Sequence, residues 1–185
     1  SGAIRFLGRD IAGLSMHEIA RAGIVRKFQV PSVFADLTVA ANVDSALSVR
    51  RHTRTVAAGG ERDLLLDMVR LAGHKRQTAG TLSHGQKQWL ELAMVLATDP
   101  LLILLDEPAA GMTRSEKTET VRLIQDIRAQ SQVGVLLIEH DMAFVEALDC
   151  PVSVMMMGRM VASGTFAEVR EDRQVREAYL GPVRV

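Results

Sequence analysis

Hydrophobic and polar residues change their period along the chain in a way that indicates alternating strands and helices. Short apolar stretches at 24–28, 101–105 and 133–138 are typical of buried parallel strands. Residues 115–130 instead place apolar side chains every three or four positions, with Glu116 among the charged residues on the outer face. This alternation predicts an α/β fold, in which helices cover both faces of a mostly parallel sheet.

One part of the chain breaks the alternation with a run of helices. Residues 35–95 are predicted to form a helical subdomain, inserted into an α/β core made of residues 1–34 and 96–185. Within this insertion, the Ala-Ala-Gly-Gly sequence at 57–60 is predicted to be a flexible link between two helices. The tail at 166–180 is predicted to be two short amphipathic helices.

Composition and charge exclude several classes of protein. The 185 residues carry 22 basic and 22 acidic side chains, so the basic excess of a general nucleic-acid binder is missing. The apolar runs are far shorter than the roughly 20 residues that cross a bilayer, and no secretory leader opens the sequence. A single cysteine, Cys150, excludes an internal disulfide. These features favour a soluble intracellular protein.

Two adjacent carboxylates, Asp106 and Glu107, follow the apolar run at 101–105. Parallel sheets bind ligands at the carboxyl edge of their strands, where these side chains are expected. Adjacent strand residues point to opposite sides, so the two acids are predicted to differ in role. Asp106 suits a hydrated Mg²⁺, and Glu107 suits the polarisation of a water that attacks a phosphoryl group. The simpler alternative is a strand that ends in solvated acids.

A glycine-containing turn opens the helix before that strand. Ser83 and Gln86 have the spacing of a capping box, and Gly85 would let an anion approach the free N–H groups at the helix start. The alternatives are a phosphate-recognising helix start and a plain capped helix.

Two further polar residues, Gln29 and His140, each come just after a predicted strand. Gln29 could contact Mg²⁺ or the attacking water, and His140 could donate a hydrogen bond to a γ-phosphate. The alternatives are an exposed turn residue for Gln29 and a structural histidine for His140.

Together, and in this order, these segments resemble the ATP-binding-cassette (ABC) ATPases. Residues 82–86, with Ser83, His84, Gly85 and Gln86, resemble the family's signature motif, and residues 101–107 its Walker B strand with the catalytic glutamate. Gln29 resembles the Q-loop glutamine and His140 the switch histidine. The D-loop position holds Ala110, Gly111, Met112 and Thr113, where Thr113 replaces the usual aspartate.

The resemblance implies a partial P-loop NTPase fold and a function. The chain would be the ATP-hydrolysing subunit of an ABC importer, with Glu107, His140 and Gln29 as catalytic residues and Asp106 and Gln29 as Mg²⁺ ligands. Two such subunits, identical or different, would sandwich ATP, so the signature residues 83–86 would bind nucleotide in trans. Permease subunits and, through them, a substrate-binding protein would be the other partners, with no nucleic acid. The subunit would lie at the cytoplasmic face of the membrane and be soluble when isolated.

Finer sequence features resemble one subgroup of this family. The sequences EPAAGM at 107–112, IEHDM at 138–142 and YLG at 179–181 resemble importers of branched-chain amino acids and urea. Within that subgroup, LSHGQKQWLEL at 82–92 is most similar to the urea-importer ATPases.

The phosphate-binding loop G-x-x-x-x-G-K-[ST] does not occur in these 185 residues. The expectation is therefore a fragment that lacks the P-loop and the family's N-terminal β-lobe, so its own ATPase activity is an open question. Two alternatives remain at this point: a non-catalytic fragment that binds no nucleotide, and a soluble ABC ATPase that acts on DNA or ribosomes.

Overall fold

The computed structural model describes residues 2–27, 32–49 and 58–179, with the backbone alone at 58, 59, 178 and 179. Two compact units divide the chain, residues 1–139 and residues 140–185.

The first unit opens with a small hairpin and a capped helix. Strand β1 (Arg5–Phe6) pairs antiparallel with β2 (Arg9–Asp10). The turn residues Leu7 and Gly8 have φ angles of 49° and 80°, the left-handed backbone that a two-residue hairpin turn requires. Helix α1 (Met16–Arg21) starts at a capping box formed by Ser15 and Glu18.

A three-stranded parallel sheet forms the centre of the first unit. Its strands are β3 (Ile24–Lys27), β4 (Leu102–Asp106) and β5 (Gly134–Ile138), in the order β3-β4-β5. The central strand β4 buries Ile103 and Leu105. All three strands run the same way, so their carboxyl ends share one edge, where Lys27 pairs with Leu105 and Asp106 with Ile138.

Every regular element that the structure describes between β3 and β4 is helical. These are α2 (Val39–Val49), α3 (Ala58–Met68), two 3₁₀ turns (Ala72–His74 and Ala79–Thr81) and α4 (His84–Ala97). Helix α4 packs against α2, α3 and β3 and buries Trp89, Leu90 and Ala93, among others. The division into a subdomain at 35–95 and a surrounding core stays a prediction.

The predicted flexible link at 57–60 is wrong over its described residues. Ala58, Gly59 and Gly60 form the first turn of α3. Glycine costs about 1 kcal/mol in a helix interior, but burial of a leucine side chain stabilises by about 1.5–3 kcal/mol. Leu66 of α3 is fully buried, and that burial favours a helix that extends back over the two glycines.

Helix α5 (Arg114–Gln130) connects β4 to β5 and buries Val121, Leu123, Ile124 and Ile127. It contacts α3 and α4, and Arg70 beyond α3 forms an ion pair with Asp126 at 2.7 Å. Strand β5 pairs with β4, and no other described strand pairs with it. Its side chains at Leu136 and Ile138 are exposed.

The second unit is a hairpin with helices around it. Helix α6 (Met142–Leu148) is capped by Asp141. Strands β6 (Val152–Met156) and β7 (Arg159–Gly164) pair antiparallel, and α7 (Phe166–Glu171) and α8 (Arg173–Tyr179) follow. The two short helices predicted for the tail are therefore present. A small core joins the hairpin to α7 and α8 through Val154, Val169 and Val175.

Candidate functional site

Asp106, the first of the two predicted acidic site residues, is the last residue of β4. Its Oδ2 atom lies 2.8 Å from Nη2 of Arg26 on the neighbouring strand β3. Both side chains are partly exposed, and such ion pairs contribute about 0–1 kcal/mol to stability. Arg26 therefore places a positive charge beside Asp106 at the carboxyl edge of the sheet, an interaction that sequence reasoning did not find.

Glu107 has an unusual backbone conformation at the end of the same strand. Its φ angle is 45°, in the left-handed region that costs a non-glycine residue roughly 1–2 kcal/mol. Neighbouring contacts hold this turn, since the Glu107 N–H donates to the Ile138 carbonyl at 2.9 Å and the Ala109 N–H donates to Glu139 Oε1 at 2.8 Å. Backbone strain of this kind clusters at functional sites, which favours a functional role for Glu107.

Sequence reasoning missed this contact of Glu139 with the turn that follows Glu107. The available signal was its place directly after β5 and beside His140. Its partner is the backbone of a turn 30 residues earlier, and nothing in the local sequence identifies that partner.

The turn before α4 has the capping box that the sequence predicts. The Gln86 N–H donates to Ser83 Oγ at 3.2 Å, and the Ser83 N–H donates to Gln86 Oε1 at 3.0 Å. Ser83 is the N-cap residue of this 14-residue helix. The helix start is confirmed, whereas its role in nucleotide binding stays a prediction.

Glu116 is half-buried: its side chain reaches over this turn, and the prediction of a solvated outer face did not include that contact. The Ser83 hydroxyl donates to Glu116 Oε1 at 2.7 Å, while Oε2 accepts from the Thr113 N–H at 3.0 Å and the Thr113 hydroxyl at 2.9 Å. A Cβ added to Gly85 would lie 2.6 Å from Glu116 Oε1. While Glu116 stays in place, position 85 therefore has room for glycine and for no residue with a Cβ atom.

The same contacts set the ionisation of Glu116. The hydrogen bond from the Ser83 hydroxyl is the largest cause that lowers the pKa of this carboxyl, followed by those from Thr113 and from the Gly85 backbone. A carboxyl whose pKa is lower in the folded state contributes stability above its unfolded pKa and loses it as pH falls through the folded pKa.

We therefore expect Glu116→Gln to flatten part of the acid limb of the stability curve. The pH range is the one below the ordinary carboxyl value of 4.5, down through the lowered folded pKa. The check is urea unfolding at closely spaced pH values, with Glu119→Gln on the same helix as the control. An acid limb that is equally steep in wild type and Glu116→Gln would contradict the assignment.

The predicted D-loop residues lie against the signature turn within the first unit. Nε2 of His84 is 3.2 Å from the Ala110 carbonyl oxygen, and Gly111 has a φ angle of 71°. A Cβ on Gly111 would lie 3.3 Å from the His84 ring. Thr113 caps α5 through its hydroxyl, which is the structural task that an aspartate performs equally well at an N-cap.

A buried hydrogen bond joins helices α4 and α5 close to the signature turn and the D-loop. The Trp89 indole N–H donates to Thr120 Oγ1 at 2.9 Å, and the Thr120 hydroxyl lies 3.2 Å from the sulfur of Met112. Both Met112 and Thr120 are buried. The start of α5 is thus held in one position relative to α4.

A buried polar cluster joins β3 to α4. Lys27 is 3% exposed, and its Nζ lies 3.2 Å from Glu91 Oε2 and also contacts Gln88 Oε1. Burial lowers the pKa of the Lys27 ammonium, and the Glu91 charge opposes that effect. The Ser32 N–H donates to Glu91 Oε1 at 3.2 Å. Glu91 therefore contacts Lys27 before residues 28–31 and Ser32 after them. Sequence reasoning did not predict these contacts.

Gln29 lies in that intervening stretch, outside the described residues, so its predicted catalytic and Mg²⁺-binding roles stay predictions. His140 is exposed at the start of the second unit, and its role also stays a prediction.

Among the described residues, no three histidine, cysteine or acidic side chains lie close enough together to form a metal cluster. Asp106 supplies one carboxylate at this edge of the sheet, a ligand type that fits Mg²⁺ because that ion usually keeps several waters.

Comparison with known proteins identifies the family. A family model described as "ABC transporter" matches residues 1–110. The chain belongs to this family. A second model, described as "Branched-chain amino acid ATP-binding cassette transporter", matches residues 159–181.

Two relatives illustrate the similarity along the whole ABC chain. It is 36% identical to the high-affinity branched-chain amino acid transport ATP-binding protein BraF of Pseudomonas aeruginosa, with 97% of this chain and 76% of BraF covered. It is 34% identical to the lipopolysaccharide export system ATP-binding protein LptB of Acidithiobacillus ferridurans, with 97% and 74% covered. This chain spans about three quarters of either relative.

Solved structures of ABC cassettes share the fold. The ADP conformation of MJ1267 has a TM-score of 0.80 and 26% identity, with 98% of this chain and 78% of that chain covered. CbiO1 from Clostridium perfringens has a TM-score of 0.82 and 26% identity, with 97% and 72% covered. The predicted fold class is confirmed, and so is the predicted activity class: the chain is an ABC-type ATPase, an ATP-hydrolysing transporter subunit.

Membership of the ABC family implies that the chain binds ATP. The ATPase subunits of ABC importers pair with each other and with permease subunits. In the described part of the chain, no helix combines the length and the apolar character needed to span a membrane.

Proposed function

We propose that this ABC ATPase energises an importer of branched-chain amino acids from the cytoplasmic face of the membrane. The observation that carries the substrate class is the match of residues 159–181 to the branched-chain amino acid cassette model. The similarity to BraF along 97% of the chain supports it. Permease subunits, and through them a substrate-binding protein, are the proposed partners.

In the proposed mechanism, Glu107 accepts a proton from the water that attacks the terminal phosphoryl group of ATP. The left-handed turn at Glu107, with its N–H bonded to Ile138, supports this role because it fixes the backbone that carries the carboxylate. Glu139 holds the following turn through the Ala109 N–H. Gln29 is proposed to orient the water, and His140 to donate a hydrogen bond to the γ-phosphate.

Asp106 is the proposed Mg²⁺ ligand, together with Gln29. A bound Mg²⁺ would neutralise charge on the phosphate oxygens during phosphoryl transfer. Arg26 already donates to Asp106 Oδ2, so the carboxylate would keep this partner on one oxygen and offer the other to the ion.

The signature residues 83–86 are proposed to bind ATP held by the partner subunit. The Ser83 hydroxyl and the Gly85 N–H, at the positive end of α4, are suitable donors for a phosphate. His84 contacts the Ala110 carbonyl, so residues 110–113 of the D-loop would move together with the signature turn.

A transport assay tests the substrate class. In a strain that lacks the gene, uptake of radiolabelled leucine is expected to fall to background and to return when the complete gene product is supplied. The matched control is the same gene product with Glu107→Gln, which should assemble and fail to restore uptake. Urea is the second candidate, favoured by the sequence at 82–92. Loss of urea uptake with normal leucine uptake would overturn the proposal in favour of urea.

A further inference from the structure

The carboxylate of Glu116 collects hydrogen-bond donors from two separate segments. Oε1 accepts from the Ser83 hydroxyl at 2.7 Å, and it lies so close to Gly85 that a Cβ added there would be 2.6 Å from it. Oε2 accepts from the Thr113 N–H and hydroxyl. One anionic side chain thus joins the signature turn to the D-loop within a single subunit.

The Ser83 hydroxyl is one of the donors that the proposed function assigns to the ATP phosphate of the partner subunit, and Gly85 next to it supplies the other. A hydroxyl hydrogen makes one strong hydrogen bond, so a carboxylate and a phosphate cannot both receive it. The two anions also repel each other at contact distance. ATP can therefore reach these donors only when the carboxylate of Glu116 has left them.

We propose that Glu116 is a positioning residue that competes with ATP: its carboxylate occupies the phosphate-binding donors of the signature turn until nucleotide from the partner subunit displaces it. This inference rests on the proposed function of Ser83 and Gly85 and adds a residue that regulates their occupancy. Displacement would break the bond between Ser83 and Oε1 of Glu116 at the moment when ATP engages.

The displacement requires rotation of one side chain and no movement of the helices. Thr120, one turn after Glu116 on α5, is anchored to Trp89 of α4 by a buried hydrogen bond of 2.9 Å. Glu116 itself is only partly buried, so its carboxylate can turn into solvent. Thr113 would keep its capping hydroxyl on the Glu116 N–H, since that contact involves the backbone of Glu116.

A purely structural role is the competing explanation, because Glu116 is also the N3 residue of the capping box on α5. The two roles predict different signs for ATP affinity. If Glu116 only caps the helix, its removal lowers stability and leaves KM for ATP unchanged or raised. If Glu116 competes with ATP, its removal lowers KM.

The test measures steady-state ATP hydrolysis by the complete gene product assembled with its permease. Glu116→Gln is expected to lower KM for ATP about tenfold, the equivalent of one charge-assisted hydrogen bond, and to retain kcat. Glu119→Gln is the matched control, since it removes a carboxylate of α5 that pairs with Arg122 and does not contact the signature turn. An unchanged or raised KM in Glu116→Gln would overturn the proposal.

A second measurement separates this inference from the proposed function. Inorganic phosphate, compared with chloride at equal ionic strength, is expected to raise the Tm of Glu116→Gln more than that of wild type or Glu119→Gln. The extra shift should disappear in the double variant Glu116→Gln/Ser83→Ala. Failure of the wild-type complex to hydrolyse ATP would refute the proposed function, and the phosphate shift would then decide the inference alone. Equal shifts in all variants would overturn it.

Discussion

Replacing Glu107 with glutamine is expected to abolish ATP turnover in the assembled transporter and to leave ATP binding intact. Glutamine keeps the size of the side chain but cannot accept the proton of the attacking water. General base catalysis contributes about 10²–10⁴-fold, so hydrolysis should fall by at least the lower end of that range. The measurements are phosphate release under saturating Mg-ATP and equilibrium binding of a labelled ATP.

Glu139→Gln provides the matched control for Glu107. It changes a neighbouring carboxylate that bonds to the Ala109 backbone, and a glutamine oxygen can accept the same bond. Turnover should therefore fall much less than in Glu107→Gln. Undiminished turnover in Glu107→Gln would refute Glu107 as the general base, and equal losses in both variants would indicate that the turn, and not the base, had been disturbed.

The second large effect is expected at the buried ion pair of Lys27 and Glu91. Glu91→Leu removes the partner of a buried ammonium group, and such changes cost about 3–5 kcal/mol of unfolding free energy. Glu91 also accepts from the Ser32 N–H, so its removal leaves a backbone donor without this acceptor. The measurement is equilibrium unfolding in urea, followed by circular dichroism.

The double variant Lys27→Met/Glu91→Leu is the control for this effect. It replaces both charges with apolar side chains of similar size, which is often close to neutral for a buried pair. We expect it to recover most of the stability that Glu91→Leu loses. If the double variant is as unstable as Glu91→Leu, the loss comes from the packing of α4 or from the lost acceptor of the Ser32 N–H, and not from the uncompensated charge.

Much of the fold follows from local sequence signals. The apolar run that ends in Asp106 identifies β4, and the Ser83–Gln86 spacing identifies the start of α4, because each signal lies within a few residues of the element it defines. The error at residues 58–60 has the opposite origin. Two glycines suggest a break, but the burial of Leu66 in the folded chain outweighs that local preference.

The positions of Asp106 and Glu107 at the end of β4 could be predicted from the sequence, whereas the contacts around the candidate site could not. Asp106 and Glu107 stand out because they follow an uninterrupted apolar run, at the strand end where parallel sheets bind ligands. Arg26, Glu91 and Glu116 give no comparable signal, since a single charged residue on a strand or helix is common. Their partners lie 80, 64 and 33 positions away in the sequence, respectively, and only the folded chain brings them together.

The pairing of β3 with β4 has a consequence for the order of folding. Ile24 pairs with Leu102, so the sheet cannot close until the long intervening segment has brought its two ends together. Loop-closure entropy rises with loop length, by about 0.6 kcal/mol for each doubling, and folding rates fall as contacts become less local. Helices α2, α3 and α4 lie within this segment and consist of local contacts. When these helices form, they shorten the flexible chain between the two strands. Helix formation therefore lowers the entropic cost of pairing β3 with β4.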